Sequence, residues 1–233
     1  MRLDKFLSHS GLGTRKDVKK ILKDKLIKVN GLVITSPSLI IDEEKDEISY
    51  DNQIIEYQEY QYFILHKPKG YITATEDLNL PTVMDLIDEP YSDLSPVGRL
   101  DKDTTGLLLI TNNGKLNHFL LSPNTHVDKE YLVTLDKDLD DSLISKFIDG
   151  VILEDNYKCL PAELTIIDKR HATVILHEGK YHQIKRMFKV NGYEVVALHR
   201  TRMDFLTLEN IKEGEYRSLN KEEVNKLLKI IKS

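Results

Sequence analysis

Apolar positions along the chain follow two rhythms. Near the start they recur at helical spacing, first as Leu3, Phe6 and Leu7, then as Val18, Ile21 and Leu22. The "GLG" of residues 11–13 breaks the pattern, so it predicts two short helices. Thr14 stands at the N-cap of the second, with Asp17 in the capping-box position. "IKVNGLVI" then reads as a hairpin turning at Asn30-Gly31. Further on the runs shorten to strand length: "YFILHKPKGYITAT" with a turn at Pro68-Lys69-Gly70, then "GLLLIT", "EYLVTL", "ATVILH", "EVVALHR" and "FLTL". Helical spacing returns twice. Ile184, Met187 and Phe188 share one face of "YHQIKRMFKVNGY", with Gly192 as its C-terminal cap. Val224, Leu227, Leu228 and Ile231 share a face behind an Asn220/Glu223 capping box.

Strands outnumber helices and do not alternate with them regularly. The predicted class is therefore α+β, with a mixed, largely antiparallel central sheet. A boundary near residue 60 divides a small unit, 1–60, from a larger one, 61–233.

Composition narrows the field. A 40% apolar and 30% charged chain is ordinary for a folded protein, and no apolar run approaches the ~20 residues that span a bilayer. "MRLDKFLSHS" carries Asp4 and lacks a continuous apolar stretch, so no signal peptide and no membrane partner are expected. The single cysteine, Cys159, excludes an internal disulfide and is expected to be buried and structural, in the cytoplasm. The net charge of −5 argues against a polyanion partner only until its distribution is examined. Residues 1–31 carry Arg2, Lys5, Arg15, Lys16, Lys19, Lys20, Lys23, Lys25 and Lys28 against three aspartates; residues 41–60 are acidic; residues 179–202 are basic again. A lysine face on the second helix reads as either a solvated surface or a phosphate grip.

Two stretches can carry chemistry. "GRLDKDTTGLLLITNNG" (98–114) brings Arg99, Asp101, Lys102 and Asp103 up to an aliphatic run. A carboxylate held at the edge of a rigid strand suits catalysis. The same residues also read as a solvated turn, or as a D-x-D magnesium site made by Asp101 and Asp103. "HEGKYHQIKRMF" (177–188) gathers two His and three basic residues without metal-ligand spacing, and reads equally as a basic helix start. No nucleophile elbow, Walker loop or dinucleotide fingerprint is present.

"RLDKFL", "GLGTR" and "VNG" resemble the S4 RNA-binding domain over roughly residues 1–60. "HKPKGYITAT", "GRLDKDTTGLLLITNNG", "KEYLVTL", "EGKYHQIKRMF" and "LHRTRMDFLTL" resemble, in order, the signatures of the RsuA-type pseudouridine synthases, which modify ribosomal RNA. The likeness is greatest to members acting on the small subunit. The resemblance implies an isomerase that needs no metal or redox cofactor. It places the essential carboxylate on Asp101, a stacking and proton-handling phenol on Tyr131, and the cation beside the carboxylate on Lys185, with Arg186 as a less favoured substitute. Asp103 is then ordinary turn chemistry. It implies RNA contacts by Arg15, Lys16 and Lys19 or Lys20 in the S4-like unit. In the larger unit it implies contacts by Arg99, Lys180, His182, Arg186, Arg200 and Arg202. The implied partner is 16S ribosomal RNA in an assembly intermediate, bound by a monomer. The alternatives are a non-catalytic S4-type binding protein or a synthase acting on 23S ribosomal RNA. His66 and Asp204-Phe205 depart from the family pattern, the second in a loop where relatives often carry glycines.

Overall fold

The structure is a computed structural model that describes all residues except 44, 56, 58, 92, 123, 124, 232 and 233. Glu44 and Glu56 of the acidic stretch therefore lie outside the described residues.

Packing divides the chain into two units, Met1–Gln61 with Asp88–Leu94, and Tyr62–Ile87 with Ser95–Ser233. The single cut expected near residue 60 thus misses a return segment. Its seat is Gly11 (φ +83°), where a Cβ would stand 3.2 Å from both Pro90 Cγ and Tyr91 Oη.

In the first unit, α1 (Leu3–His9) buries Leu3, Phe6 and Leu7, and α2 (Arg15–Lys23) buries Val18 and Leu22. The Thr14/Asp17 capping box closes as the spacing predicts, a device that contributes about 1 kcal/mol. β1 (Ile27–Val29) and β2 (Leu32–Val33) pair with Val29 opposite Leu32. Asn30 and Gly31 between them have φ of 51° and 78°, the two positive values of a type I′ turn. β3 (Ile48–Tyr50) and β4 (Gln53–Ile54) make a second such hairpin, with Asp51 and Asn52 at φ 47° and 65°. The sheet order is β2-β1-β3-β4. The helices close over it through Phe6, Leu22, Ile27 and Ile48, each such side chain contributing about 1.5–3 kcal/mol on burial.

The second unit contains, in order, β5 (Tyr62–Lys67), β6 (Ser95–Pro96), β7 (Thr105–Thr111), α3 (Gly114–Leu121), β8 (Lys129–Leu135), α4 (Ser142–Asp149), β9 (Glu163–Ile166), β10 (His171–Leu176), α5 (Gln183–Lys189), β11 (Val195–Met203), β12 (Leu206–Thr207), β13 (Tyr216–Ser218) and α6 (Lys221–Ile230). The main sheet runs β13-β5-β7-β11-β8-β10-β9. Among the described residues, β7 and β11 are the one strand pair of this path that runs parallel. This is the mixed, largely antiparallel sheet the pattern predicts. "YITAT" does not extend β5: the strand stops at Lys67 before Pro68, and Ile72 makes an isolated bridge to Thr82. β7 is the central wall, with residues 106–111 all buried. Cys159 is buried, and burial pushes its thiol up to about 11, as expected of a structural cysteine.

Candidate active site

Residues 98–104 form the turn that feeds β7, and the segment after β5 ties that turn down. Thr73 Oγ1 donates to the Leu100 carbonyl at 2.7 Å and accepts from the Leu100 N–H at 3.0 Å. The Gly70 N–H donates to the Lys102 carbonyl at 2.8 Å. From beneath, Lys67 Nζ donates to the carbonyls of Thr104 (2.8 Å) and Pro68 (3.1 Å). Lys67 is completely buried. Burial pushes its pKa down to about 8, against the opposing pull of Asp103, Asp101 and Glu213. Gly106 (φ +110°) completes the anchoring, because a Cβ there would collide with the Arg200 backbone that pairs alongside it. Asp101 is therefore presented on a turn fixed at both ends.

α5 approaches that turn from the other side. Ile184, Met187 and Phe188 are buried, which sets the helix and leaves Lys185 facing the carboxylates. Lys185 Nζ lies 3.0 Å from Asp101 Oδ2 and 2.6 Å from Asp103 Oδ1. Burial alone would lower the Lys185 pKa, but hydrogen bonds to Asp103 and Asp101 outweigh it and raise it. For Asp103, burial pushes the carboxyl up, and the bond and charge of Lys185 more than offset it, leaving the pKa lowered. Ion pairs this open to solvent are worth about 1 kcal/mol or less in stability, so this one matters chiefly for orientation. The ammonium also stands where a D-x-D site would put its metal, so the Asp101/Asp103 magnesium reading does not fit. Asp103 is likewise more than turn chemistry, since it takes the shorter Lys185 contact.

His182 adds a third neighbour, its Nε2 3.4 Å from Asp101 Oδ1. It holds a left-handed backbone (φ 47°) at the start of α5, and its ring stacks on Tyr181 with centroids 3.8 Å apart. The cleft between the turn and α5 is lined by Asp101, Tyr131, Arg99, Lys180, His182 and Lys185. Tyr131 lies on β8, opposite Arg200 of β11 and Val174 of β10. Glu178 braces the rim: its buried carboxylate accepts from Tyr157 Oη (2.7 Å), the Leu160 N–H (2.9 Å) and Gln183 Nε2 (2.6 Å).

The other basic residues separate into exposed and engaged groups. Arg15, Lys16, Lys19 and Lys20 are exposed on α2, and Arg99 and Lys180 are exposed at the cleft. Arg200 is only 2% exposed and donates through Nε to the Leu107 carbonyl at 2.6 Å, so it braces the sheet and is not placed to grip a phosphate. Arg186 is held by Asp155 (2.7 Å) and Glu154 (3.2 Å), away from Asp101. Arg202 is held by the Asp204 carbonyl (2.7 Å), Glu130 (3.3 Å) and Asp128 (3.5 Å). Those carboxylates already neutralise both guanidinium groups. This network also fixes Asp204 in its left-handed conformation (φ 51°).

Lys67, Thr73, Glu178 and Tyr181 were not singled out by sequence. Lys67 left one signal: it ends the row Phe63, Leu65, Lys67, whose alternate positions are all buried.

Residues 61–189 match the RNA pseudouridylate synthase family, and residues 1–48 match the S4 domain. The chain is 38% identical to the ribosomal small subunit pseudouridine synthase A of Haemophilus influenzae, across 98% of this chain and 100% of that relative. It is 42% identical to the protein of the same name from Yersinia pestis, across 96% of this chain and 97% of the relative. A crystal structure of a pseudouridylate synthase superposes with a TM-score of 0.69 at 38% identity, covering 97% of this chain and 99% of that one. A family match over more than half the sequence, joined by relatives that align almost end to end, means that this chain belongs to the RNA pseudouridylate synthases.

Proposed function

We propose that this enzyme converts one uridine of 16S ribosomal RNA into pseudouridine, on an assembly intermediate of the small subunit. The observation that carries the catalytic assignment is Lys185 at 3.0 Å from Asp101, in the cleft that Tyr131 lines. The small-subunit target is supported by the names of the aligned relatives.

The target nucleotide leaves its stack and enters the cleft. Its uracil lies against Tyr131, whose ring supplies an aromatic face and whose phenol supplies a proton path. Lys185, 3.0 Å from Asp101 Oδ2, orients the Asp101 carboxylate and supplies a positive charge beside it. That carboxylate acts either on C1′ directly or on the proton at C2′. In both routes the N1–C1′ bond breaks with its electron pair leaving on N1, the base turns, and C5 bonds to C1′, as the Asp101–C1′ ester bond breaks in the first route or as C2′ regains its proton in the second. The proton on C5 is then lost and N1 gains one, so the product is an isomer and nothing is oxidised. Arg99 and Lys180 at the rim, and Arg15, Lys16, Lys19 and Lys20 on α2, hold phosphates of the folded RNA.

Asp101→Asn is expected to abolish tritium release from RNA labelled at uridine C5 while leaving thermal unfolding unchanged. Full turnover by that variant would refute the assignment. Pseudouridine mapping of ribosomal RNA from a strain lacking the protein is expected to show one missing site in 16S RNA. A missing 23S site would relocate the target, and an unchanged map would favour a purely binding role.

A further inference from the structure

Tyr181 is 76% exposed, an unusual setting for a large aromatic ring beside a catalytic cleft. It is not loose. Its ring lies on His182 with centroids 3.8 Å apart and planes 19° apart, and His182 in turn reaches Asp101. His182 lines the cleft and Tyr181 does not. The stack therefore has an inner ring bordering the reaction space and an outer ring whose far face is open to solvent. We infer that this outer face is a stacking site for an RNA base flanking the target uridine, a reading that rests on the proposed reaction.

Three physical points support it. A base extruded into the cleft leaves its neighbours unstacked, and an aromatic face offers them a replacement. A ring already immobilised on His182 loses little entropy when a base covers it. The preceding residue, Lys180, is exposed at the cleft, so the platform adjoins a cation of the kind that suits a phosphate backbone. Stacking tolerates any base, so the site adds affinity and register without reading sequence. Tyr157 does not compete for this place, because its hydroxyl is bound to Glu178 and Lys180 lies over its ring.

The test uses the full chain and C5-tritiated small-subunit RNA from a strain lacking the protein. Tyr181→Ala and Tyr181→Leu are expected to raise KM roughly tenfold with kcat little changed, and Tyr181→Phe to restore the wild-type KM. Leu keeps apolar bulk without an aromatic face, so Leu behaving like Phe would overturn the inference. A fall in kcat at constant KM, or no effect of Ala, would overturn it too. If wild-type protein releases no tritium, the reaction itself has been misread. Filter binding of the same RNA then decides the platform alone: it stands if Tyr181→Ala binds roughly tenfold weaker, and falls if Ala binds equally well.

Discussion

Asp103 and Asp101 share one ammonium, and the residue closer to it is not the one proposed to react. Asp103, the more exposed of the two carboxylates, takes the shorter contact and holds Lys185 in place beside Asp101. Asp103→Asn is therefore expected to lower turnover less than tenfold, whereas Lys185→Met removes the charge beside Asp101 and is expected to cost at least a hundredfold in kcat. Comparison of kcat by tritium release checks both. Lys67 gives a pH prediction. Its folded pKa of about 8 lies below the ordinary value of 10.5, so between those values the unfolded chain binds more protons than the native one. The penalty for burying Lys67 is complete below pH 8 and is relieved as pH rises toward 10.5. Wild type is thus expected to gain stability relative to Lys67→Met across that window, and urea midpoints at pH 7 and pH 10 would show it. A widening disadvantage of wild type would contradict it. The motifs name Asp101, Tyr131 and Lys185, and the structure brings these three to one cleft. The sequence was least legible for the arginines. Leu198 and Arg200 are both buried on β11, and that alternate row was the overlooked sign that Arg200 points inward.

At the scale of elements, local signals succeeded where one or two residues decide the backbone. Thr14, Asn30-Gly31, Asn220 and Gly192 each fell where the pattern put them. The signals failed for α3 and α4, each showing only two fully buried residues, Leu116 and Leu120 or Leu143 and Phe147, too few to establish a period. The Asp51-Asn52 hairpin was hidden because its turn lacks glycine. The parallel contact of β7 with β11 was also beyond reach, since their paired residues lie 94 apart in sequence. It nonetheless depends on one residue. Gly106→Ala is expected to destabilise the protein by about 3 kcal/mol or more, through collision with the Arg200 backbone and a strained positive φ. Chemical denaturation would measure it, and a loss below 1 kcal/mol would mean that β11 can move aside.

On the scale of the whole molecule, a chain of net charge −5 gathers its basic residues in separate stretches of sequence, which suits a polyanion partner. The exposed α2 face is expected to supply salt-dependent affinity without setting the chemical step. Replacing both Lys16 and Lys20 with Ala should reduce the slope of log K against log salt by roughly 1.5, while kcat at saturating RNA stays constant. An unchanged slope would remove α2 from the interface. Fold class was legible here because strand-length runs outnumber helical ones; the division into units was only partly so, because nothing local in Asp88–Leu94 announces its return to the first unit.

That return sets a timetable for synthesis. Pro90 and Tyr91 close on Gly11, so that contact is absent when residue 61 is made, although the apolar cluster of the first unit is drawn wholly from residues up to 57. At about 5–20 residues per second, residue 94 follows some 2–7 s later. Throughout that interval the first unit can already gather its apolar cluster and its lysine face, and the arrival of residues 88–94 adds the final closure at Gly11.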